Sequence, residues 1–134
     1  LNATRIVTVF LTQNDKYLIL KRSDKVKTMK SLWAGISGII EGNEEPLYRA
    51  KREVLEETGI PEDRITFLKK AHEIRIDSPQ YANHEWIVFP FLFSVQDPTI
   101  RLNWENQNYR WITPTEIAQY QTVPSLDKVL ASLL

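Results

Sequence analysis

One segment, GIIEGNEEPLYRAKREVLEETGI from Gly38 to Ile60, constrains the fold of this chain more than any other. Pro46 suits the first turn of a helix, where its missing N–H costs nothing, and Gly59 suits the position just past the end. The spacing therefore predicts a helix between them. At about 100° per residue, Leu47, Ala50, Val54 and Thr58 share one side, while Arg52, Glu53, Glu56 and Glu57 fall within an arc of about 140° on the other. Glu53 and Glu57 stand four apart and Glu53 and Glu56 three apart, and like charges at those spacings weaken a helix. Arg52 and Glu56 alone would be an ordinary surface ion pair. Three carboxylates crowded together at a cost to the helix read instead as ligands for a cation.

The pattern extends beyond the helix. It runs Gly38, five residues, Glu44, seven residues, then Arg52-Glu53-Val54-Leu55-Glu56-Glu57-Thr58-Gly59-Ile60. This resembles the complete signature of the MutT/Nudix hydrolase family, with every fixed position and both apolar positions filled. At average residue frequencies such a match arises by chance on the order of once in 10⁹ starting positions. Two flanking positions depart from the family's habit: Ile36-Ser37 stands where Pro-Gly is usual, and Asn43 where Gly is common, with Gly42 one place earlier.

The resemblance implies an α/β fold, an α/β/α sandwich with a mixed sheet and the signature as a loop–helix–loop. It also implies that Glu53, Glu56 and Glu57 coordinate metal and that Arg52 holds a glutamate in place through its ion pair with Glu56. Gly38 would offer its backbone carbonyl and allow close approach. Glu44 would stand in an outer shell, and Gly59 would shape the loop after the helix. Glu53 is the first choice for the general base, with Glu105, in the loop before the last strand, as the alternative. The activity implied is a pyrophosphohydrolase that cleaves a nucleoside diphosphate linked to another moiety. Hard carboxylate oxygens suit Mg²⁺ or Mn²⁺, which bind one or two side chains and leave their other positions to water and phosphate. An alternative is a Nudix-fold regulatory domain that binds a nucleotide or sugar phosphate without cleaving it. Isopentenyl diphosphate isomerase shares the fold but needs an active-site cysteine, and this chain has none.

Composition fits a small cytoplasmic enzyme. At 134 residues the chain is one domain, 1–134, long enough to bury a core. Lys+Arg and Asp+Glu number 17 each, so nothing suggests a nucleic-acid polymer as partner. The N-terminal apolar run around Ile6 to Leu11 is too short for a signal peptide or membrane span. The chain begins at Leu1 rather than Met, as a piece trimmed from a longer protein would. Monomer and homodimer are both compatible with the sequence.

Along the chain, Arg5–Thr12 and Tyr17–Arg22 read as a hairpin, and Trp33–Gly38 as a third strand. Ile65–Ile76 reads as a long strand and Glu85–Val95 as a central one, with Pro90 marking a bulge or edge. Tyr109–Ile112 is a last short strand, followed by helices capped by Thr113 and Ser125. Polar loops are expected at Ser23–Lys30, as a mobile one, and at Asp77–His84. Arg5, Lys21, Arg22 and Arg75 are candidate phosphate contacts, and Trp86 and Tyr81 are candidates to stack on a ring. Each of these has a plainer reading as a surface charge or core aromatic. His72 and His84 show no ligand spacing.

Overall fold

Runs of β-branched and apolar residues form the first two strands, β1 (Asn2–Gln13) and β2 (Lys16–Arg22), in the computed structural model, which describes residues 2–78 and 82–134. Asn14 and Asp15 join them with φ of 53° and 61°, the left-handed pair that a two-residue hairpin turn demands. β1 is the hub of a mixed sheet. β7 (His84–Val95) runs parallel to it, from Asn2 opposite His84 to Thr12 opposite Ser94. β4 (Ile36–Ile39) pairs antiparallel with β1 as well. β5 (Ile65–Lys70) and β6 (Ile74–Asp77) both pair antiparallel with β7. β3 (Trp33–Ala34) and β8 (Asn106–Ile112) pair with β2.

Side chains alternate across a strand, so β1 sends Val7, Val9 and Leu11 to one core and Phe10 to another. Helix α1 (Pro46–Thr58) closes the first core with Ala50 and Val54. Helix α2 (Leu126–Ser132) and the 3₁₀ helix Pro114–Gln119 close the second with Leu126, Val129, Leu130 and Ile117. Each valine, leucine or isoleucine among these contributes roughly 1.5–3 kcal/mol when fully buried, which holds a helix on each face of the sheet. The result is the expected α/β/α arrangement.

Several element boundaries differ from expectation. Trp33–Gly38 divides into β3 and β4, which pair with different strands. Ile65–Ile76 divides into β5 and β6, and Pro90 explains the break. β7 is central, with β1 on one edge and β5 and β6 on the other. The Ala71 N–H donates to the Pro90 carbonyl at 3.3 Å, so Pro90's missing N–H falls on this same edge, level with the gap at 71–73. The bulge lies further along this edge, on β5 between Phe67 and Lys69, opposite Phe93 and Leu92. β8 begins three residues before Tyr109, at Asn106.

Thr113 caps as expected: its N–H and Oγ1 both donate to Glu116 Oε1, at 2.9 and 2.8 Å. Ser125 takes φ 64° and makes no side-chain cap bond, so α2 starts without one. The loop expected to be mobile after Ser23 is anchored. Arg22 Nη2 donates to the Thr28 carbonyl at 3.0 Å, Ser23 Oγ to the Trp104 carbonyl at 2.7 Å, and Val26 is buried. Pro79 and Tyr81, in the other predicted loop, lie outside the described residues.

Candidate active site

The ends of α1 are as its sequence requires. Pro46 opens it, and Gly59 closes it at φ 77°, its N–H donating to the Leu55 carbonyl at 2.9 Å. The rotational setting is the surprise. Glu53 and Glu57 do not share the outer face with Arg52 and Glu56; they are 6% and 3% exposed, buried beside Ala50 and Val54. An arc of about 140° is wide enough to reach the flank of the apolar stripe, and β4 lies along that flank. Arg52 and Glu56 alone remain at the surface, as a pair 3.3 Å apart.

Strand β4 and β8 supply the surroundings of the buried pair. The Ser37 N–H donates to Glu57 Oε2 at 3.2 Å and Asn106 Nδ2 donates to Oε1 at 3.1 Å. Ser37 is one of the two positions where the usual Pro-Gly is replaced, and its Oγ lies 3.3 Å from Thr8 Oγ1 on β1. Burial pushes the Glu57 carboxyl well above the ordinary carboxylate range, and the negative charges of Glu105 and Glu53 push it further. Glu53 is raised as well, again chiefly by burial, with Arg49 and a hydrogen bond to Glu57 acting in the opposite direction. Gly38 faces Glu53 so closely that a Cβ there would overlap its carboxyl group. Glycine at 38 is thus a steric requirement of Glu53's position.

Arg49 escaped the sequence reading, although its i,i+4 spacing to Glu53 was the signal for it. Its Nε and Nη2 grip Glu44 at 3.1 and 2.6 Å, and its Nη1 donates to Glu53 Oε2 at 3.0 Å. The ion pairing lowers the Glu44 carboxyl, and its hydrogen bonds to Glu44 raise the Arg49 guanidinium. The arginine in contact with buried Glu53 is therefore Arg49. Arg52 makes the ion pair expected of it, with Glu56, at 3.3 Å on the exposed face.

Of these groups, Ser37, Gly38, Arg49 and Glu53 line a cleft of about 470 Å³. One part is lined by Gly38, Glu53, Glu56, Arg49, Arg22 and Glu105. The other part is apolar, lined by Ile6, Ile76, Trp86, Val88, Leu126 and Val129. Glu105 is drawn in from its loop, its N–H bonded to Asn103 Oδ1 at 3.1 Å and its carbonyl accepting from the Ser23 N–H at 2.8 Å. Arg22 is half-buried, its guanidinium lowered by desolvation and raised by the charges of Glu57 and Glu105. Trp86 lines the cleft with its edge against His84, ring centroids 5.1 Å apart, and its indole Nε1–H is buried without an acceptor. His84 Nε2 lies 2.9 Å from Thr4 Oγ1. Arg75 is not brought to the cleft: its neighbour Ile76 faces in, while Arg75 faces out and pairs with Glu85 at 2.6 Å. Arg5 lies over the Phe89 ring, 5.1 Å from its centroid, and Lys21 does not line the cleft.

Among the described residues, no three acidic or histidine side chains converge on one point, and Glu56 is turned toward Arg52. Glu53 and Glu57 nonetheless fit a hard dication. They are two buried carboxyls in contact, and one or two carboxylates are all that Mg²⁺ asks of a protein that also binds phosphate.

The NUDIX domain family model matches residues 2–133. No curated protein matches the chain in sequence. Its fold is similar to that of a MutT protein from Methanosarcina mazei Go1, at 20% identity and TM-score 0.78, over 97% of this chain and 91% of that one. A MutT Nudix hydrolase from Burkholderia pseudomallei is similar over the whole of both chains, at 16% identity and TM-score 0.79. A C. elegans Ap4A hydrolase shares the fold at 15% identity and TM-score 0.76, over 98% of this chain and 94% of that one. With a buried carboxylate pair carried on its signature helix, and the family model spanning nearly its whole length, this chain belongs to the MutT/Nudix hydrolase family.

Proposed function

We propose that this protein is a metal-dependent pyrophosphohydrolase that splits a nucleoside diphosphate linked to another moiety, by attack of water at phosphorus. The observation that carries this reading is the Glu53–Glu57 pair. Two carboxyls are buried in contact, Glu53 lining the cleft and Glu57 beside it; burial raises the cost of ionising both, and the charge of Glu53 adds to that cost for Glu57. A site of this kind is worth its cost to the fold when a cation completes it. Glu53 and Glu57 would hold Mg²⁺ or Mn²⁺, with Gly38 offering its carbonyl and Glu56 joining by turning away from Arg52. The bound ion would offset phosphate charge and lower the pKa of water.

The remaining residues have separable tasks. Ser37 and Asn106 hold Glu57 through both its oxygens, so its carboxylate plane is set before anything binds. Glu53 is the first choice to take the proton from the attacking water. Glu105, which also lines the cleft, is the alternative. Arg22, which lines the cleft, would meet a phosphate oxygen. The apolar lining of the cleft, Trp86 included, suits a base or ring.

The test is release of phosphate or pyrophosphate across nucleotides, dinucleotide polyphosphates, nucleotide sugars and ADP-ribose, with Mg²⁺, Mn²⁺ or EDTA. Cleavage of one substrate group, abolished by EDTA, is the expected result. Cleavage that persists in EDTA would overturn the metal dependence. Silence from folded protein over the whole panel would count against the nucleotide class.

A further inference from the structure

We propose that Arg49 is the positioning residue that holds Glu53 ready for a metal ion, by tying it to the loop that carries Glu44. The inference rests on the reading of Glu53 as a metal ligand.

The connection runs through four groups. The Glu41 N–H donates to Glu44 Oε1 at 2.6 Å, and the Glu44 N–H donates to the Glu41 carbonyl at 3.0 Å, so the Glu44 side chain is fixed to its own loop. Arg49 then takes both Glu44 oxygens with Nε and Nη2 and keeps Nη1 for Glu53 Oε2. Only a guanidinium can do this, because its donors lie in one plane at fixed angles, whereas an ammonium is a single point. The bridge is sheltered: the Arg49 and Glu53 side chains are 16% and 8% exposed. Gly38 closes on Glu53 from β4, leaving the carboxyl little room to rotate.

The contrast with Arg52 supports the assignment. Arg52 makes one contact, at 3.3 Å, to a glutamate on the open face, and both side chains are more than two-fifths exposed. A pair of that kind constrains its carboxylate weakly. Glu44 also gains a task. It is not close to Glu53 in the hydrogen-bond network; it acts through Arg49, which makes the signature's first glutamate the anchor of an arginine.

The experiment is Mn²⁺ binding to the protein, followed by electron paramagnetic resonance, for wild type, Arg49→Ala, Arg49→Lys, Glu44→Gln, Arg49→Ala/Glu44→Gln and Arg52→Ala. Loss of a partner that orients a ligand weakens metal affinity by about 10- to 100-fold. We expect Arg49→Ala to weaken Mn²⁺ binding about tenfold or more, and Arg49→Lys to recover little of it. Glu44→Gln should act in the same direction. The double variant should be no weaker than Arg49→Ala alone, because both changes break one bridge. Arg52→Ala should lose less than Arg49→Ala. Circular dichroism and melting temperature establish that each variant is folded, and Arg49→Lys decides the matter if Arg49→Ala is not. Wild-type or tighter Mn²⁺ binding by Arg49→Ala, or additive losses in the double variant, would overturn the proposal. Wild-type protein that binds no Mn²⁺ would overturn the metal reading of Glu53 itself, and Arg49's role with it.

Discussion

Helix α1 carries the same chemistry twice, with opposite consequences. On its inner edge Arg49 meets Glu53 at 3.0 Å, and on its outer face Arg52 meets Glu56 at 3.3 Å. Both are arginine–glutamate pairs four residues apart. The outer pair stands in water, where Coulomb attraction is screened and each side chain has entropy to lose. The inner pair is walled by β4 and joined to Glu44 and Glu57, so each contact there constrains the next. Burial, more than residue type, separates a site from a surface ornament.

The comparison can be broken most forcefully at the buried carboxyls. Glu53→Gln and Glu57→Gln should each lower kcat by about 10²-fold or more with the fold retained, and Glu56→Gln should lower it less. Steady-state kinetics on the substrate found by the panel would check this. Near-wild-type turnover in both buried variants would remove the inner edge from the site.

Gly38→Ala comes next. Its Cβ would displace the Glu53 carboxyl, and a displacement of about 1 Å can cost about 10²-fold in rate. We expect a loss of at least about tenfold in kcat, with Mn²⁺ binding weakened in parallel. Full activity would show that Glu53 has room to move.

A third effect is on stability. Glu53 and Glu57 have raised pKa values in the folded protein, so they favour folding when protonated and oppose it when ionised. Their contribution falls as pH rises from the ordinary carboxylate value toward the folded one. Glu44 and Glu116 are lowered, and their stabilisation is lost only as pH falls below the ordinary range. Metal-free protein should therefore melt at a higher temperature near pH 5.5 than near pH 8, by a few degrees. Saturating Mg²⁺ should shrink the difference. A melting temperature that rises with pH across this window in metal-free protein would contradict the sign.

The smallest effect belongs to the outer face. Arg52→Ala should change unfolding free energy by no more than about 0.5 kcal/mol, as measured by urea denaturation. A loss of 2 kcal/mol or more would mean that the outer pair constrains the helix as the inner one does.

How much of this could be read from the chain depends on the kind of information needed. Pro46 and Gly59 bound α1 because their backbone chemistry is local, and Asn14-Asp15 closed a hairpin for the same reason. The glutamates were visible because their spacing departs from what a helix alone would favour. Their division between inside and outside was not, since helical periodicity assigns angles and says nothing about what packs at the margin of a face. Arg49 lay in the variable stretch of the signature, where its spacing to Glu53 was present but unremarkable. The break between β5 and β6 depended on Pro90, far along the chain on the neighbouring strand, and Glu105 reached the cleft through contacts with Ser23 and Asn103. Those are tertiary facts, and no local pattern encodes them.

The central claim is that the buried pair, rather than the exposed Glu56, is the heart of a metal site. Anomalous diffraction from crystals grown with Mn²⁺ addresses it most directly. The account predicts a peak in contact with the carboxylates of Glu53 and Glu57. A peak bound by Glu56 alone, or none on α1 in protein that turns over with Mn²⁺, would contradict it.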